Sequence, residues 1–150
     1  MTAIRTGLAL TLALASSMGI SHTAVAAPAK EPIAYFAGVM TAPRQHAQEF
    51  VFGVTDPAVV ATLRAELGTG QALQGRQLDM TVKRGRTAYN PDWNFHVRPE
   101  SVKLSFANIE VCDADPAEIE DNIELVGGAL LPGNHWCPWS MRLSREVAVP

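Results

Sequence analysis

The residues best suited to chemistry lie in one segment near the end of the chain, Leu131–Ser140, which reads L-P-G-N-H-W-C-P-W-S. It holds two of the three tryptophans, a histidine and a cysteine. Tryptophan is enriched at protein-binding hot spots because it buries a large, rigid surface. The segment therefore predicts a ligand-binding or partner-binding surface, to which Tyr89–His96 could contribute. The candidate contact residues are Asn134, His135, Trp136, Trp139, Trp93 and His96.

The same segment also has a purely structural interpretation. Cys112 and Cys137 are the two cysteines of the chain, and an even count in a small exported domain favours a disulfide. Trp136 and Trp139 would then pack under a loop that Cys137 fastens to a strand ending at Cys112. The rival interpretation is a reactive thiol, but a cysteine held in a disulfide cannot attack a substrate.

A catalytic set is harder to assemble from this sequence. Glu110, Asp113, His96 and His135 could serve a secreted hydrolase if two of them came within hydrogen-bond reach. No serine lies in a G-x-S-x-G elbow. We name no catalytic residue and keep the hydrolase as an alternative.

Metal ligands are equally sparse. The histidines are scattered, and no H-x-x-x-H or C-x-x-C spacing occurs. Asp113 and Asp115 resemble the start of a calcium loop, but Pro116 and Ala117 follow and the glycine needed at the sharp turn is missing. We therefore expect neither a metal nor a cofactor.

The charge balance bears on possible partners. Lys83, Arg84 and Arg86 form a small basic cluster that could meet a phosphate or an acidic glycan. However, 15 acidic residues against 12 basic ones leave a net charge of −3, which argues against nucleic acid. A protein or glycan ligand is the expected partner.

Hydrophobic periodicity predicts the elements that must position these residues. Strands are expected at 33–39, 48–54, 78–82, 93–97, 102–106, 109–112 and 141–147. Asp56-Pro57 and Asp115-Pro116 each pair an N-cap with a proline at the first helical position. The first helix should end at Gly68 and the second near Val126. These patterns predict an α+β fold, a mostly antiparallel sheet of five to seven strands with two helices packed on one face and one disulfide.

The beginning of the chain has the pattern of a secretory signal peptide. Arg5 precedes the apolar run Leu8–Leu14, and small residues end at Ala26. We expect residues 1–26 to be removed, 27–32 to form a flexible leader and 33–150 to form one domain. The apolar run is too short for stable membrane insertion. The expected location is therefore the periplasm or the medium.

Four strings carry a family resemblance: F-V-F-G-V-T-D-P from Phe50, Y-N-P-D-W-N-F-H from Tyr89, E-V-C-D-A from Glu110 and G-G-A-L-L-P-G-N-H-W-C-P-W-S from Gly127. Together they resemble a small secreted calmodulin-binding-protein-like family, labelled after the N-terminal domain of a slime-mould calmodulin-binding protein. The resemblance implies no catalytic residue or ligand contact that can be carried over.

The label does not imply that this domain binds calmodulin. Calmodulin targets are basic amphipathic helices. The first predicted helix has Arg64 beside Glu66, and 113–126 holds six acids and no lysine or arginine. The sequence favours a secreted, non-enzymatic binding module acting through 131–140, with a secreted hydrolase or a protease inhibitor as alternatives.

Overall fold

The computed structural model describes residues 32–40, 48–70, 73–107 and 110–149. The predicted signal peptide, most of the leader and the loop Thr41–His46 lie outside these residues. The described part forms nine strands and two α-helices. In chain order they are β1 (Ala34–Met40), β2 (Gln48–Val54), α1 (Pro57–Thr69), β3 (Gln77–Arg84), β4 (Phe95–Val97), β5 (Lys103–Ser105), α2 (Pro116–Asp121), β6 (Val126–Gly127), β7 (Leu130–Pro132), β8 (His135–Trp136) and β9 (Met141–Val147).

The described strands form three sheets. The first has the order β2-β1-β9, with both pairings antiparallel. In the second, β3 pairs antiparallel with β4, β5 and β8. The third is a parallel pair of the short strands β6 and β7. The prediction of a strand-rich, mostly antiparallel α+β domain with two helices and one disulfide is confirmed, and the strands are divided among three sheets.

An aromatic core joins the first two sheets. Phe50 of β2 stacks on Phe95 of β4 with 5.0 Å between ring centroids, and it meets Trp136 of β8 edge-on, also at 5.0 Å. All three side chains are fully buried. Such offset and edge-to-face aromatic pairs add to the stabilisation that comes from burying their area. The core therefore holds Trp136 from the predicted binding segment.

Both predicted helix starts are confirmed by their caps. Asp56 Oδ1 accepts hydrogen bonds from Ala58 N at 2.8 Å and Val59 N at 3.3 Å, and Asp115 Oδ1 accepts from Glu118 N at 2.7 Å. These bonds satisfy main-chain donors that a helix cannot bond internally.

The predicted helix ends need correction. α1 continues past Gly68 to Thr69, because Gly70 takes the left-handed conformation of the C-cap, with φ +67°. α2 ends at Asp121 and gives way to a 3-10 helix at Ile123–Leu125, so its predicted extension to Val126 is wrong. Glu110–Cys112 is also a 3-10 helix, so the strand expected there is absent in this described stretch.

The outer edge of β2 is covered by side chains rather than by another strand. Val51 N donates to Asn90 Oδ1 at 2.9 Å, and Asn90 Nδ2 donates back to Val51 O. Trp93 Nε1 donates to Glu49 O at 3.3 Å. The Asn90 amide thus replaces the peptide group of a neighbouring strand and protects an exposed sheet edge.

Candidate functional site

The segment Leu131–Ser140 is held at its centre by the predicted disulfide. Cys112 and Cys137 are bonded, with their Cα atoms 5.2 Å apart. Cys137 N also donates to Cys112 O at 2.7 Å. Both cysteines are buried, which leaves no thiol for nucleophilic chemistry.

Trp136 belongs to the core. Its side chain has no exposed surface, and its Nε1 donates to Ala114 O at 2.9 Å. The aromatic ring and its single polar group are therefore both satisfied inside the protein. Trp136 offers no surface to a ligand, so its place among the predicted contact residues is corrected to that of a support beneath the loop.

Trp139 has the opposite environment. It is 41% exposed, whereas its main-chain N donates to Asp113 Oδ1 at 3.0 Å. The disulfide two residues earlier and this bond hold the backbone, while the indole remains accessible. A rigid, accessible tryptophan is the kind of anchor that binding surfaces use, because little side-chain entropy is lost on binding.

Trp139 lies at a groove between α1 and β9, which we call the α1–β9 groove. Its volume is about 550 Å³, within the usual range for ligand sites. Glu66, Leu67 and Leu73 line one wall and Met141–Ser144 the other. The groove combines polar and apolar side chains with an exposed indole, which suits a partner that presents an apolar side chain flanked by polar groups.

Polar contacts shape the helix side of the groove. Glu66 Oε2 accepts from Leu73 N at 2.9 Å, and Arg76 Nε donates to Leu73 O at 3.1 Å. The Arg76 guanidinium also lies 5.9 Å from the centroid of the Phe106 ring, which is 78% exposed. Such a cation–π contact holds an aromatic ring at the surface. Phe106, a second accessible aromatic residue, therefore lies against Arg76, which lines the groove.

An ion pair links α1 to β9 beyond the groove. Arg64 Nη2 lies 2.7 Å from Glu146 Oε1, and Arg64 Nε lies 3.0 Å from Glu146 Oε2. The hydrogen bond from Arg64 holds the pKa of Glu146 below its ordinary value of 4.5. Past this pair, Val60 and Val147 line a second cavity of about 470 Å³. Arg64 and Glu146 themselves line this second cavity.

His135 lies outside the groove, on the polar face of β3. It is opposite Thr81 in the β3–β8 pairing, and its Nε2 lies 2.9 Å from Asp79 Oδ1. Lys103 Nζ approaches Asp79 Oδ2 at 3.8 Å. Asn134 supports this region through its carbonyl, which accepts from Val82 N at 2.9 Å. The ion-pair partner of His135 and the hydrogen-bond partner of Asn134 therefore both lie in β3.

The other predicted contacts also have structural partners. His96 Nδ1 donates to Gly85 O at 2.8 Å, and the half-buried Trp93 ring lies 6.3 Å from Phe50 and 6.0 Å from Phe95. The predicted contact residues therefore do not form one continuous surface. His135 has a carboxylate partner, Asp79. Asp79 was not among the site residues predicted from the sequence.

The residues described by the structure include no group of three or more histidine, cysteine, aspartate or glutamate side chains placed to hold a metal ion. Asp113 and Asp115, which resembled a calcium loop, accept main-chain hydrogen bonds from Trp139 and Glu118. None of the described helices is long and apolar enough to cross a membrane.

Sequence reasoning missed most of the groove. Leu73 lies in the glycine- and glutamine-rich run 68–75, which predicts only a surface loop, and Arg76 follows that run. Leu143 lies in the last predicted strand. The Arg64–Glu146 pair likewise had no signal in the sequence, because the two residues are 82 positions apart.

A family model for the N-terminal domain of calmodulin-binding protein 74 and its relatives matches residues 33–150. No curated protein matches the chain, and no solved structure matches it.

Proposed function

This chain belongs to the family of calmodulin-binding protein 74-like N-terminal domains, and from that premise and the groove geometry we propose that it is an exported, non-enzymatic module that binds a partner protein. The family match confirms the resemblance drawn from the four sequence strings. It carries no ligand with it, so the proposal rests on the site itself.

The observation that most supports this function is the difference in solvent exposure between Trp136 and Trp139. Trp136 is fully buried and Trp139 is 41% exposed on a disulfide-held segment. Full burial of a large apolar side chain stabilises a protein by about 1.5–3 kcal/mol. An indole that stays in water forgoes this stabilisation. An exposed indole on a rigid support is better explained by a partner that covers it.

The charges around the groove favour a protein partner over an acidic polymer. Arg76 and Arg142 line it together with Glu66, so both signs of charge are present. The apolar side chains Leu67 and Leu143 are partly buried against the core and partly accessible from the groove. Charges of both signs beside accessible apolar side chains are found at protein–protein interfaces.

Affinity capture with the mature domain tests the proposal. Bait proteins are wild type, Trp139→Ala and Leu125→Ala, and the extract is the native secretions and envelope fraction of the source cells. Leu125 is a matched control because it is also an exposed apolar residue, at 51%, and does not line the α1–β9 groove. Circular dichroism first shows that all three baits fold.

We expect a partner protein that wild type and Leu125→Ala retain and that Trp139→Ala loses. Truncating a central tryptophan at an interface costs about 2 kcal/mol or more, a loss of roughly thirtyfold in affinity. Equal retention by all three baits removes the groove from the proposal. Retention by none of them removes the binding function itself.

A further inference from the structure

The first sheet has two outer strands, and the described residues treat them differently. The outer side of β2 is closed by the side chains of Asn90 and Trp93. On the outer side of β9, no strand of the described part of the chain is paired. An open sheet edge presents main-chain donors and acceptors to any extended segment that approaches it.

The register shows which main-chain groups of β9 point outward. Val51 uses its own N–H and C=O for Asn90, so Val51 and its partner Ala37 direct their main-chain groups away from each other. Ala37 therefore faces β9, where it lies opposite Arg145. Two residues further along, Val39 faces β9 opposite Arg142. Leu143 follows Arg142, so its N–H and C=O point outward.

A β-bulge interrupts the pairing of β9 with β1. The register shifts between Ala37 and Gly38, and Ser144 is the additional residue. Ser144 Oγ donates to Ala37 O at 3.1 Å. A bulge ends regular pairing locally and turns the strand. The outward main-chain groups of Leu143 therefore lie just before an irregularity and within the groove.

The α1–β9 groove runs along this edge. Met141, Arg142, Leu143 and Ser144 all line it, although successive side chains of a strand point to opposite faces. Because residues from both faces of β9 line the cavity, part of it lies at the edge of the strand. The facing wall is the C-terminal half of α1. An edge strand beside a helix is a geometry in which proteins bind extended peptides by adding a strand.

We propose that the α1–β9 groove takes an extended segment of the partner protein, which adds to the first sheet along the outer edge of β9. This inference rests on the proposed function and specifies how the partner binds. The main chain of the segment bonds to Leu143, and one of its apolar side chains contacts Trp139.

Charge defines the segment further. Arg142 and Arg76 line the groove together with Glu66, which leaves one positive charge in excess among these three side chains. This excess favours carboxylates in the partner. Because side chains of an added strand alternate between two faces, the segment should alternate apolar and acidic residues.

A display library of random nonapeptides, selected on the folded mature domain, supplies the probe. The selected peptide is resynthesised with one N-methylated amide at a time. Strand addition predicts that methylation at every second position weakens binding about tenfold, the effect of one lost main-chain hydrogen bond, and that positions between them tolerate it.

Hydrogen exchange on the unmodified domain gives an independent readout. We expect the peptide to slow exchange of the Leu143 amide at least about tenfold, and to leave the Arg142 and Arg145 amides, which face β1, unchanged. The Trp139→Ala variant should lose the peptide, whereas Leu125→Ala should keep it.

The outcomes separate this inference from the proposed function. A peptide that needs Trp139 but shows no alternation on methylation and no slowing at Leu143 overturns strand addition and leaves the binding module standing. A library from which nothing is enriched overturns strand addition as well. In that case the affinity capture of a partner protein, and its dependence on Trp139, still tests the proposed function separately.

Discussion

Individual residues in this domain take roles that residue type alone does not reveal. Trp136 and Trp139 are three positions apart in one loop, yet one has no exposed surface and the other is 41% exposed. The difference comes from the hydrogen bond that Ala114 O accepts from the Trp136 indole, which allows that ring to be buried without an unsatisfied N–H. Trp139 donates from its main-chain N to Asp113, and its ring is partly exposed.

Substitution of Asn90 should lower the stability of the domain more than the small size of its side chain suggests. Replacing it with alanine leaves the buried N–H and C=O of Val51 without partners, so we expect Asn90→Ala to lower the free energy of unfolding by about 3 kcal/mol. The matched control is Asp92→Ala, an exposed change in the same turn, which should alter it by less than about 0.5 kcal/mol. Urea unfolding measures both. Equal midpoints for the two variants would contradict the edge-covering role of Asn90.

Among the elements, the short ones were the hardest to predict. Five of the nine strands in the described part of the chain have only two or three residues, too few for a period-two pattern to be distinguished from chance. β8 is the clearest example, because His135 and Trp136 pair with Thr81 and Met80 in a stretch that reads as a loop. By contrast, α1 and the long strands β1, β2 and β9 follow from hydrophobic spacing and caps.

The disulfide connects two of these short elements, the 3-10 helix at Glu110–Cys112 and the segment after β8. It closes a loop of 25 residues, so the chain-entropy model predicts that Cys112→Ser/Cys137→Ser lowers the free energy of unfolding by about 3.5 kcal/mol. Chemical denaturation of the double variant, compared with the oxidised wild type, measures this. A change under about 1 kcal/mol would show that packing of Trp136 alone holds the loop.

At the scale of the whole molecule, the proposed role requires export. The leading 26 residues have the charge, apolar run and small residues of a signal peptide. We expect the protein recovered from the exported fraction to begin at Ala27, as measured by intact mass and N-terminal sequencing. Protein that keeps Met1 and is found only in the cytoplasm would remove the premise that the partner is extracytoplasmic. The Ala26→Arg variant, with a blocked cleavage site, supplies the matched control because it should retain residue 1.

The sequence by itself determined what depends on neighbouring residues: both helix starts and the alternation of the longer strands. It also determined the pairing of the cysteines, because the chain has two of them. Tertiary structure alone decided what depends on distant residues. Arg64 meets Glu146 across 82 positions and Asn90 meets Val51 across 39, and neither pair leaves a periodic trace in the chain. The α1–β9 groove is of this second kind. Its walls are a helix and a strand from opposite ends of the domain, and only packing of α1 beside β9 brings them together.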